Sequence, residues 1–230
     1  MIFFISFDLT SAYHHVSILP AHRGYLGFAY HWPQGKVRHF CFNVLPFGLS
    51  SACHAFTKIV RPLVKHWRSA GIGSFVYIDD GIGVFHSESQ AIIQSQLMRA
   101  DLLESGFLVN NNKSRWSPSQ SLDWLGFRFD STTMLIRAGQ AKVDKVIRSC
   151  SILLEATTVS PRQVAAITGQ LIAMQRAIGP ECRLMTRFLS FWVDDQLKFN
   201  EPLPIIGGGI FGGGIFEYRR WKLKCFGRIR

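Results

Sequence analysis

Three aspartates are the residues of this 230-residue sequence whose type and spacing could support chemistry. Asp8 ends an apolar run, and Asp79 and Asp80 lie between two later apolar runs. Carboxylates beside buried strands are costly unless water, a cation or hydrogen bonds compensate them. If those strands are neighbours, Asp8 and Asp79 could bridge two Mg²⁺ ions about 3.5–4 Å apart, as in displacement at phosphorus. Asp-Asp-Gly is also a common surface turn, so the spacing alone leaves that alternative open.

Short apolar runs around these aspartates predict a small antiparallel sheet. Pro33-Gln34-Gly35 separates two aromatic-rich runs and predicts a hairpin, and Asp79-Asp80-Gly81 is predicted to form the tip of a second one. The predicted strands lie at residues 2–7, 25–30, 37–44, 74–78, 82–85 and 107–109 and within 122–129.

Helical spacing of apolar residues alternates with these strands and dominates after residue 138. End signals include a glycine after a helix, and Ser160-Pro161-Arg162-Gln163 supplies an N-cap, a first-turn proline and a capping glutamine together. The predicted helices run from Ser50 to Gly71, from Ser87 to Gly106, near 141–157 and from Ser160 onward. This order predicts an α+β fold in which a small sheet is backed by helices and followed by a helical module.

The composition narrows the class of protein and its partners. The chain is 47% hydrophobic and carries 26 Lys and Arg against 15 Asp and Glu, a formal charge of +11. A globular protein that binds a polyanion fits these values, and charge alone does not choose between nucleic acid and an anionic membrane. Five scattered cysteines favour a reduced, intracellular protein, cytoplasmic or nuclear, and no uncharged apolar stretch is long enough to span a membrane.

Four ordered motifs together resemble the palm of retroelement reverse transcriptases. The run around Trp67-Arg68-Ser69-Ala70-Gly71 is most similar to DIRS-type elements, with gypsy-type elements next. The four motifs are Phe7-Asp8-Leu9-Thr10-Ser11-Ala12-Tyr13-His14, Leu45-Pro46-Phe47-Gly48-Leu49-Ser50-Ser51-Ala52, Tyr77-Ile78-Asp79-Asp80 and Trp124-Leu125-Gly126-Phe127.

The resemblance implies a catalytic site with bound Mg²⁺ or Mn²⁺. Asp8 and Asp79 correspond to the metal-binding carboxylates, Asp80 to their third acidic partner, and the main-chain carbonyl of Leu9 to a further ligand. Lys113 corresponds to the lysine proposed to protonate the pyrophosphate leaving group, although a solvated loop lysine is the alternative.

The same resemblance implies contacts with the incoming nucleotide. Tyr13 corresponds to the aromatic residue that excludes a 2′-hydroxyl, and its alternative role is an ordinary core tyrosine. Phe47 and Gly48 correspond to a nucleotide-binding or template-binding turn, where several relatives have glutamine in place of Phe47. A plain strand-to-helix turn is the alternative for that pair.

Contacts with nucleic acid are expected further along the chain. Leu125 and Gly126 correspond to the primer grip, unless they form a structural hairpin. Lys142, Lys145 and Arg148 lie in the helical part, where a thumb would grip duplex phosphates, although each alone could be a solvated surface charge.

These features predict a palm at residues 1–137, a helical thumb-like module at 138–200, and a Gly-rich linker with a basic tail at 201–230, the last being genuine or a coding artefact. Only seven residues precede Asp8, so the fingers are expected to be largely absent. The expected function is RNA-directed DNA polymerisation, with RNA or DNA primer–template and dNTPs as partners and no membrane. The alternative is a truncated, non-catalytic transposon remnant that at most binds nucleic acid. The sequence indicates no oligomeric state.

Overall fold

A computed structural model describes residues 1–195 and the backbone of Leu203 and Pro204. The chain forms two compact units, one from Met1 to Trp124 and the other beginning at Leu125. Within the described residues, no helix combines the length and apolar character that a membrane crossing requires.

The first unit is an α+β layer built on one antiparallel sheet. Strands β4 (Gly73–Tyr77), β5 (Asp80–Phe85), β1 (Phe3–Asp8) and β6 (Arg115–Ser119) lie side by side in that order, so the chain's first strand is central. The strands are β1 (Phe3–Asp8), β2 (Gly27–His31), β3 (Val37–Cys41), β4 (Gly73–Tyr77), β5 (Asp80–Phe85), β6 (Arg115–Ser119) and β7 (Ser121–Trp124), and the helices are α1 (Ala52–Ser69) and α2 (Glu88–Glu104).

The pairing of β1 with β5 determines which side chains enter the core. Phe7 lies opposite Gly81, and Asp8 lies opposite Asp80. Because side chains alternate between the faces of a strand, Phe7 points to the helix-covered face and Asp8 to the other. Gly81 is buried, and a β-carbon there would overlap the Phe7 ring, so only glycine leaves room for this packing.

The helices are anchored to that sheet by an aromatic core. The Phe7 ring lies edge-on to Trp67 of α1 and stacks on Trp116 of β6, with centroid distances of 5.9 Å in both cases. Trp67 is completely buried, and its indole N–H donates to Asp101 of α2 at 2.7 Å. This bond satisfies a polar group that would otherwise be costly in the core.

Local signals in the sequence account for the ends of both helices. Gly71, just beyond α1, has a left-handed φ of 77°, and Gly106, just beyond α2, has a φ of 82°. The Ser87 side chain caps α2 by accepting from the Gln90 N–H at 3.2 Å. The predicted β2–β3 hairpin is also confirmed, and Gly35 in its turn has a φ of 76°.

Two of the sequence-based predictions for this unit are wrong in detail. The hairpin between β4 and β5 turns at Ile78 and Asp79, whereas Asp80 is the first residue of β5 and Gly81 is buried within it. The predicted strand at 107–109 is reduced to one isolated bridge between Val109 and Leu9. In the first case, the packing of Phe7 on Gly81 outweighs the turn preference of Asp-Gly.

The second unit is a hairpin followed by helices with their own core. Buried residues of β9 (Leu135–Ala138), α3 (Gln140–Glu155) and α4 (Pro161–Ala173) pack with Met174 and Cys182 in that core. The elements are β8 (Phe127–Asp130), β9 (Leu135–Ala138), α3 (Gln140–Glu155), β10 (Thr158–Val159), α4 (Pro161–Ala173), α5 (Gln175–Ile178), α6 (Glu181–Asp194) and β11 (Leu203–Pro204), which pairs with β10. Ser160 and Gln163 form the complete capping box that the sequence predicts for α4.

The compact units divide earlier than the predicted palm boundary at residue 137. The β8–β9 hairpin belongs to the second unit because Ala138 is buried in that unit's core. The predicted linker and tail at 201–230 lie outside the described residues, apart from the backbone of Leu203 and Pro204.

We predict that Gly81→Ala destabilises the protein by about 1–3 kcal/mol, because the added methyl group has to displace the Phe7 ring. Urea-induced unfolding measures this change. Gly24→Ala is the matched control, since a β-carbon at that glycine meets no atom within 4 Å. Equal unfolding midpoints for the two variants would contradict the packing argument.

Candidate active site

The face of the sheet opposite α1 brings two of the three predicted aspartates together. Asp8 is the last residue of β1, and its cross-strand partner is Asp80, the first residue of β5. Residues directly opposite each other in antiparallel strands present their side chains on the same face. Asp8 is only 8% exposed, and its N–H donates to the Ser114 hydroxyl at 3.0 Å. The two carboxylates are therefore neighbours by register.

Asp79 reaches the same edge of the sheet from a strained turn. Its carbonyl accepts a hydrogen bond from the Leu9 N–H at 3.0 Å, which ties the turn to the residue after Asp8. Ile78 beside it has a φ of 57°, a left-handed conformation that is rare for a β-branched side chain. Such strain persists only where the surrounding structure enforces it, and it concentrates at functional sites.

The charges of the other two aspartates act on the Asp80 carboxyl. Burial raises the pKa of the Asp80 carboxyl above its ordinary value. The negative charges of Asp79 and then Asp8 raise that pKa further, whereas Lys113 lowers it. Crowded carboxylates of this kind are stabilised by a nearby positive charge.

Lys113 supplies one such charge. Its ammonium nitrogen lies 3.6 Å from the Asp8 carboxylate, in a loop held to β1 by the Asn110 N–H, which donates to the Asp8 carbonyl at 2.8 Å. The Lys113 side chain is 70% exposed, so solvent screens this ion pair. The structure thus places Lys113 beside Asp8, and its role toward the pyrophosphate leaving group stays a prediction.

The donor set suits a hard divalent cation, although the side chains alone do not make a complete cage. No cluster of three or more His, Cys, Asp or Glu side chains is arranged to hold a metal ion in the described part of the chain. Mg²⁺ typically uses one or two carboxylates and takes its remaining oxygens from water and substrate phosphates. The crowding of negative charge around Asp80 fits such a partly open site.

Two residues predicted to contact the nucleotide form an aromatic pair beside the aspartates. The rings of Tyr13 and Phe47 lie 5.0 Å apart, with Tyr13 buried and Phe47 67% exposed. The Tyr13 hydroxyl is 2.8 Å from the Cys53 thiol on α1. This hydrogen bond, together with burial, raises the pKa of Tyr13 to about 12, and the charge of Asp79 adds to the shift. The phenol therefore stays neutral and firmly placed.

Gly48 follows Phe47 in the turn that leads to α1. Its φ is 87°, and a β-carbon there would meet no atom within 4 Å. Backbone conformation, and not crowding within this chain, therefore requires glycine at this position.

The predicted primer-grip residues form a tight turn leading into β8. Leu125 and Gly126 have consecutive positive φ values of 50° and 74°, the combination that a type I′ turn needs. Lys142 of α3 holds this turn, because its ammonium group donates to the Leu125 carbonyl at 3.1 Å and lies 4.0 Å from the Phe127 ring centroid.

Lys142 therefore differs in its surroundings from the other two predicted thumb cations. Lys142 is half-buried and bonded within the chain, whereas Lys145 and Arg148 are exposed. Phosphate binding stays a prediction for these three residues.

Comparison with known proteins identifies the family. Residues 2–129, more than half of the chain, match the model of the family described as reverse transcriptase (RNA-dependent DNA polymerase). The chain belongs to the reverse transcriptase family. The matched range contains the aspartates, the Tyr13–Phe47 pair and Lys113.

Two curated relatives are retroelement polyproteins. The chain is 29% identical over 119 residues to the Gag-Pro-Pol polyprotein of bovine leukemia virus, covering 50% of the chain and 8% of that protein. It is 28% identical over 125 residues to the Pol polyprotein of the gypsy transposon of Drosophila melanogaster, covering 54% of the chain and 11% of that protein. The chain therefore spans about a tenth of the length of these relatives.

Solved structures of foamy viral protease–reverse transcriptase share the fold. The complex with double-stranded DNA of a form designated dRH has a TM-score of 0.66 and 22% identity, covering 86% of this chain and 32% of that one. The complex with an RNA/DNA hybrid has a TM-score of 0.68 and 20% identity, covering 99% and 27%. These likenesses confirm the α+β reverse transcriptase fold.

Sequence reasoning did not identify three residues that position this candidate site. Ser114 and Asn110 bond the backbone of Asp8 from the loop that carries Lys113, and Cys53 holds the hydroxyl of Tyr13. Each contact joins distant parts of the chain, and none of these three positioning residues belongs to the four motifs. The Asn110-Asn111-Asn112 run before Lys113 was the available signal, since asparagine side chains commonly stabilise turns.

We predict that Asp80→Asn raises the melting temperature at neutral pH in metal-free buffer. The raised pKa means that the folded protein binds this proton more tightly than the unfolded chain. The stabilisation from the protonated Asp80 carboxyl is complete below about pH 4 and is lost as the pH rises through the pKa that this group has in the folded protein. In thermal melts from acid to neutral pH, the melting temperature of the variant should therefore rise relative to that of the wild type as the pH increases.

Asp130→Asn is expected to show the opposite pH dependence of the melting temperature and serves as the comparison. Hydrogen bonds from Thr132 and then Thr133 lower the pKa of Asp130, so its stabilisation is present at neutral pH and is lost on acidification. This variant should melt below the wild type at neutral pH and approach it at acid pH. Parallel profiles for the two variants would contradict the site electrostatics.

Proposed function

We propose that residues 1–137 are the palm of an RNA-directed DNA polymerase and residues 138–200 its thumb-like module. One observation carries the proposal: the β1–β5 register sets Asp8 beside Asp80, and the adjoining turn brings Asp79 to the same edge of the sheet. Family membership supports it. The reaction is transfer of a deoxynucleotide to a primer 3′-hydroxyl with release of pyrophosphate.

The aspartates hold the metal ions in this proposal. Mg²⁺ or Mn²⁺ bound by Asp8 and Asp79, with Asp80 and the Leu9 carbonyl as further oxygen donors, would supply positive charge for phosphoryl transfer. The protein itself orients the reactants, because β1 and the Ile78–Asp79 turn hold the carboxylates in fixed positions. Lys113 donates a proton to the departing pyrophosphate from its place beside Asp8.

The sugar of the incoming nucleotide is selected by the Tyr13–Phe47 pair. Tyr13 is buried, neutral and held by Cys53, so its ring cannot easily give way to a 2′-hydroxyl. Phe47 is largely exposed beside it, and Gly48 leaves open space next to the backbone. This arrangement favours deoxynucleotides over ribonucleotides.

Primer–template binding completes the proposed function. The foamy viral structures that share the fold are complexes with double-stranded DNA and with an RNA/DNA hybrid. For this chain, we assign the primer end to the Leu125–Gly126 turn, which Lys142 holds in place. Exposed Lys145 and Arg148 on α3 are assigned to duplex phosphates.

The element of origin is proposed to be a retrotransposon of the DIRS or gypsy type. The gypsy polyprotein relative and the run from Trp67 to Gly71 support this assignment.

Primer extension on an RNA template with Mg²⁺ and dNTPs tests the catalytic assignment. We expect Asp79→Asn and Asp8→Asn to lower the extension rate by at least about 10²–10³-fold, since removing one preorganised electrostatic group commonly costs that much. Exposed Asp195→Asn serves as the control. Asp101→Asn is unsuitable because Asp101 accepts the buried Trp67 N–H, and loss of its charge would weaken that bond.

The outcomes of primer extension distinguish an active polymerase from a non-catalytic transposon remnant. Unchanged extension in Asp79→Asn would overturn the site assignment. A wild-type chain that retards primer–template in a salt-dependent way but adds no nucleotide would favour the non-catalytic alternative.

Tyr13→Val is expected to raise the use of ribonucleotides relative to deoxynucleotides by roughly 10-fold or more, because the smaller side chain vacates the space for a 2′-hydroxyl. Single-nucleotide incorporation with matched dNTP and rNTP measures the ratio. Tyr25→Val, at an 85% exposed tyrosine, should leave the ratio unchanged. An unaltered ratio in Tyr13→Val would remove this residue from sugar selection.

A further inference from the structure

The segment between the catalytic aspartates contains no acidic residue. From Leu9 to Ile78 the sequence has neither Asp nor Glu, so every charged side chain in it is basic or a histidine. The lysines and arginines of this segment are Arg23, Lys36, Arg38, Lys58, Arg61, Lys65 and Arg68. Four of the seven belong to α1, which the proposed catalytic mechanism uses only through Cys53.

The α1 cations form one row along the helix, here called the cationic stripe and consisting of Lys58, Arg61 and Lys65. Their spacing of three and four residues places them on one face, and all three are exposed. The buried residues Phe56 and Trp67 mark the opposite face, which packs on the sheet. The stripe therefore points away from the core of the first unit.

The stripe also lies away from the catalytic aspartates. Phe7 contacts Trp67 on the helix-covered face of the sheet, and Asp8, the next residue, points to the other face. The sheet and α1 together stand between the stripe and the carboxylates. A ligand on the stripe would be distinct from the primer–template proposed at the aspartates.

The ion pairs of the described residues leave the three stripe cations uncompensated. Among the residues that the structure describes, no ion pair involves Lys58, Arg61 or Lys65. Arg68, one turn further, is different, because its guanidinium donates twice to the Ser74 carbonyl at 3.0 and 2.8 Å. The stripe thus has its full donor capacity available to a partner.

A helix surface of this kind costs stability. Like charges three or four residues apart destabilise a helix, and soluble surfaces usually intersperse both signs. The three cations follow the helix axis at intervals of about 4.5–6 Å. A nucleic-acid backbone, which carries charge at regular short intervals, complements such a row.

We propose that the cationic stripe binds the phosphate backbone of a nucleic acid at a second site, separate from the catalytic face. Contact is through charge and is independent of base sequence, because the three side chains are flexible point donors on an exposed helix. The proposal does not require the chain to polymerise, so it stands or falls separately from the proposed function.

The test compares the wild-type 230-residue chain with the triple variant Lys58→Gln, Arg61→Gln, Lys65→Gln in binding a blunt-ended DNA duplex across a range of salt concentrations. The slope of log K against log salt is negative, and each lost phosphate contact lowers its magnitude by about 0.9. The triple variant is therefore expected to lower the magnitude of the slope by roughly 2–3. The single variants should each lower the magnitude of the slope by about 0.9. They keep the test informative if the triple variant fails to fold.

A charge-matched control removes the general effect of net charge. Ser89→Glu, Gln96→Glu and Ala100→Glu together lower the net charge by the same three units at exposed positions of α2. This control should retain most of the wild-type slope. A control that loses as much as the stripe variant would show that overall charge, and not the stripe, controls binding.

Two further measurements complete the experiment. Asp79→Asn should keep the wild-type slope while losing primer extension, which distinguishes failure of the stripe from failure of the catalytic assignment. Vesicles containing anionic lipid provide the competing polyanion. An unchanged duplex slope in the triple variant overturns the proposal, and so does a loss confined to vesicle binding.

Discussion

The antiparallel register between β1 and β5 is the constraint on which the first unit depends. Phe7 opposite Gly81 fills the core, and this pairing sets Asp8 opposite Asp80 on the other face of the sheet. A slip of one residue would exchange the faces of every side chain, placing the carboxylate in the core and the phenyl ring in solvent. The packing that stabilises the sheet and the alignment of the proposed catalytic acids are therefore a single arrangement.

The site shows the cost of assembling negative charge in a partly buried place. Asp79 and Asp8 both raise the pKa of Asp80, and Ile78 holds a left-handed conformation in the connecting turn. Neither feature stabilises the fold. Both are tolerated because the sheet, the aromatic core and the loop carrying Lys113 over-determine the local geometry, and such compromises are typical of sites kept for chemistry.

Much of the fold and site was predictable because local physics dominates there. The glycine after α1, the capping box of α4 and the apolar run of β1 each act over a few residues, and the structure confirms them. The hairpin turn was misplaced by sequence reasoning because Asp80-Gly81 is a good turn pair locally. Its rejection depends on Phe7, which is remote in sequence and needs the space above that glycine.

The sequence by itself determined the family, the order of the motifs and the identity of the acids, since these depend on residue types and spacing along the chain. Only the tertiary structure decided which groups support them. Cys53 reaches Tyr13 across 40 residues and Ser114 reaches Asp8 across 106, and Lys142 is bonded to the Leu125 carbonyl instead of standing free. Contacts between distant residues follow from how strands and helices pack, and no local pattern encodes that packing.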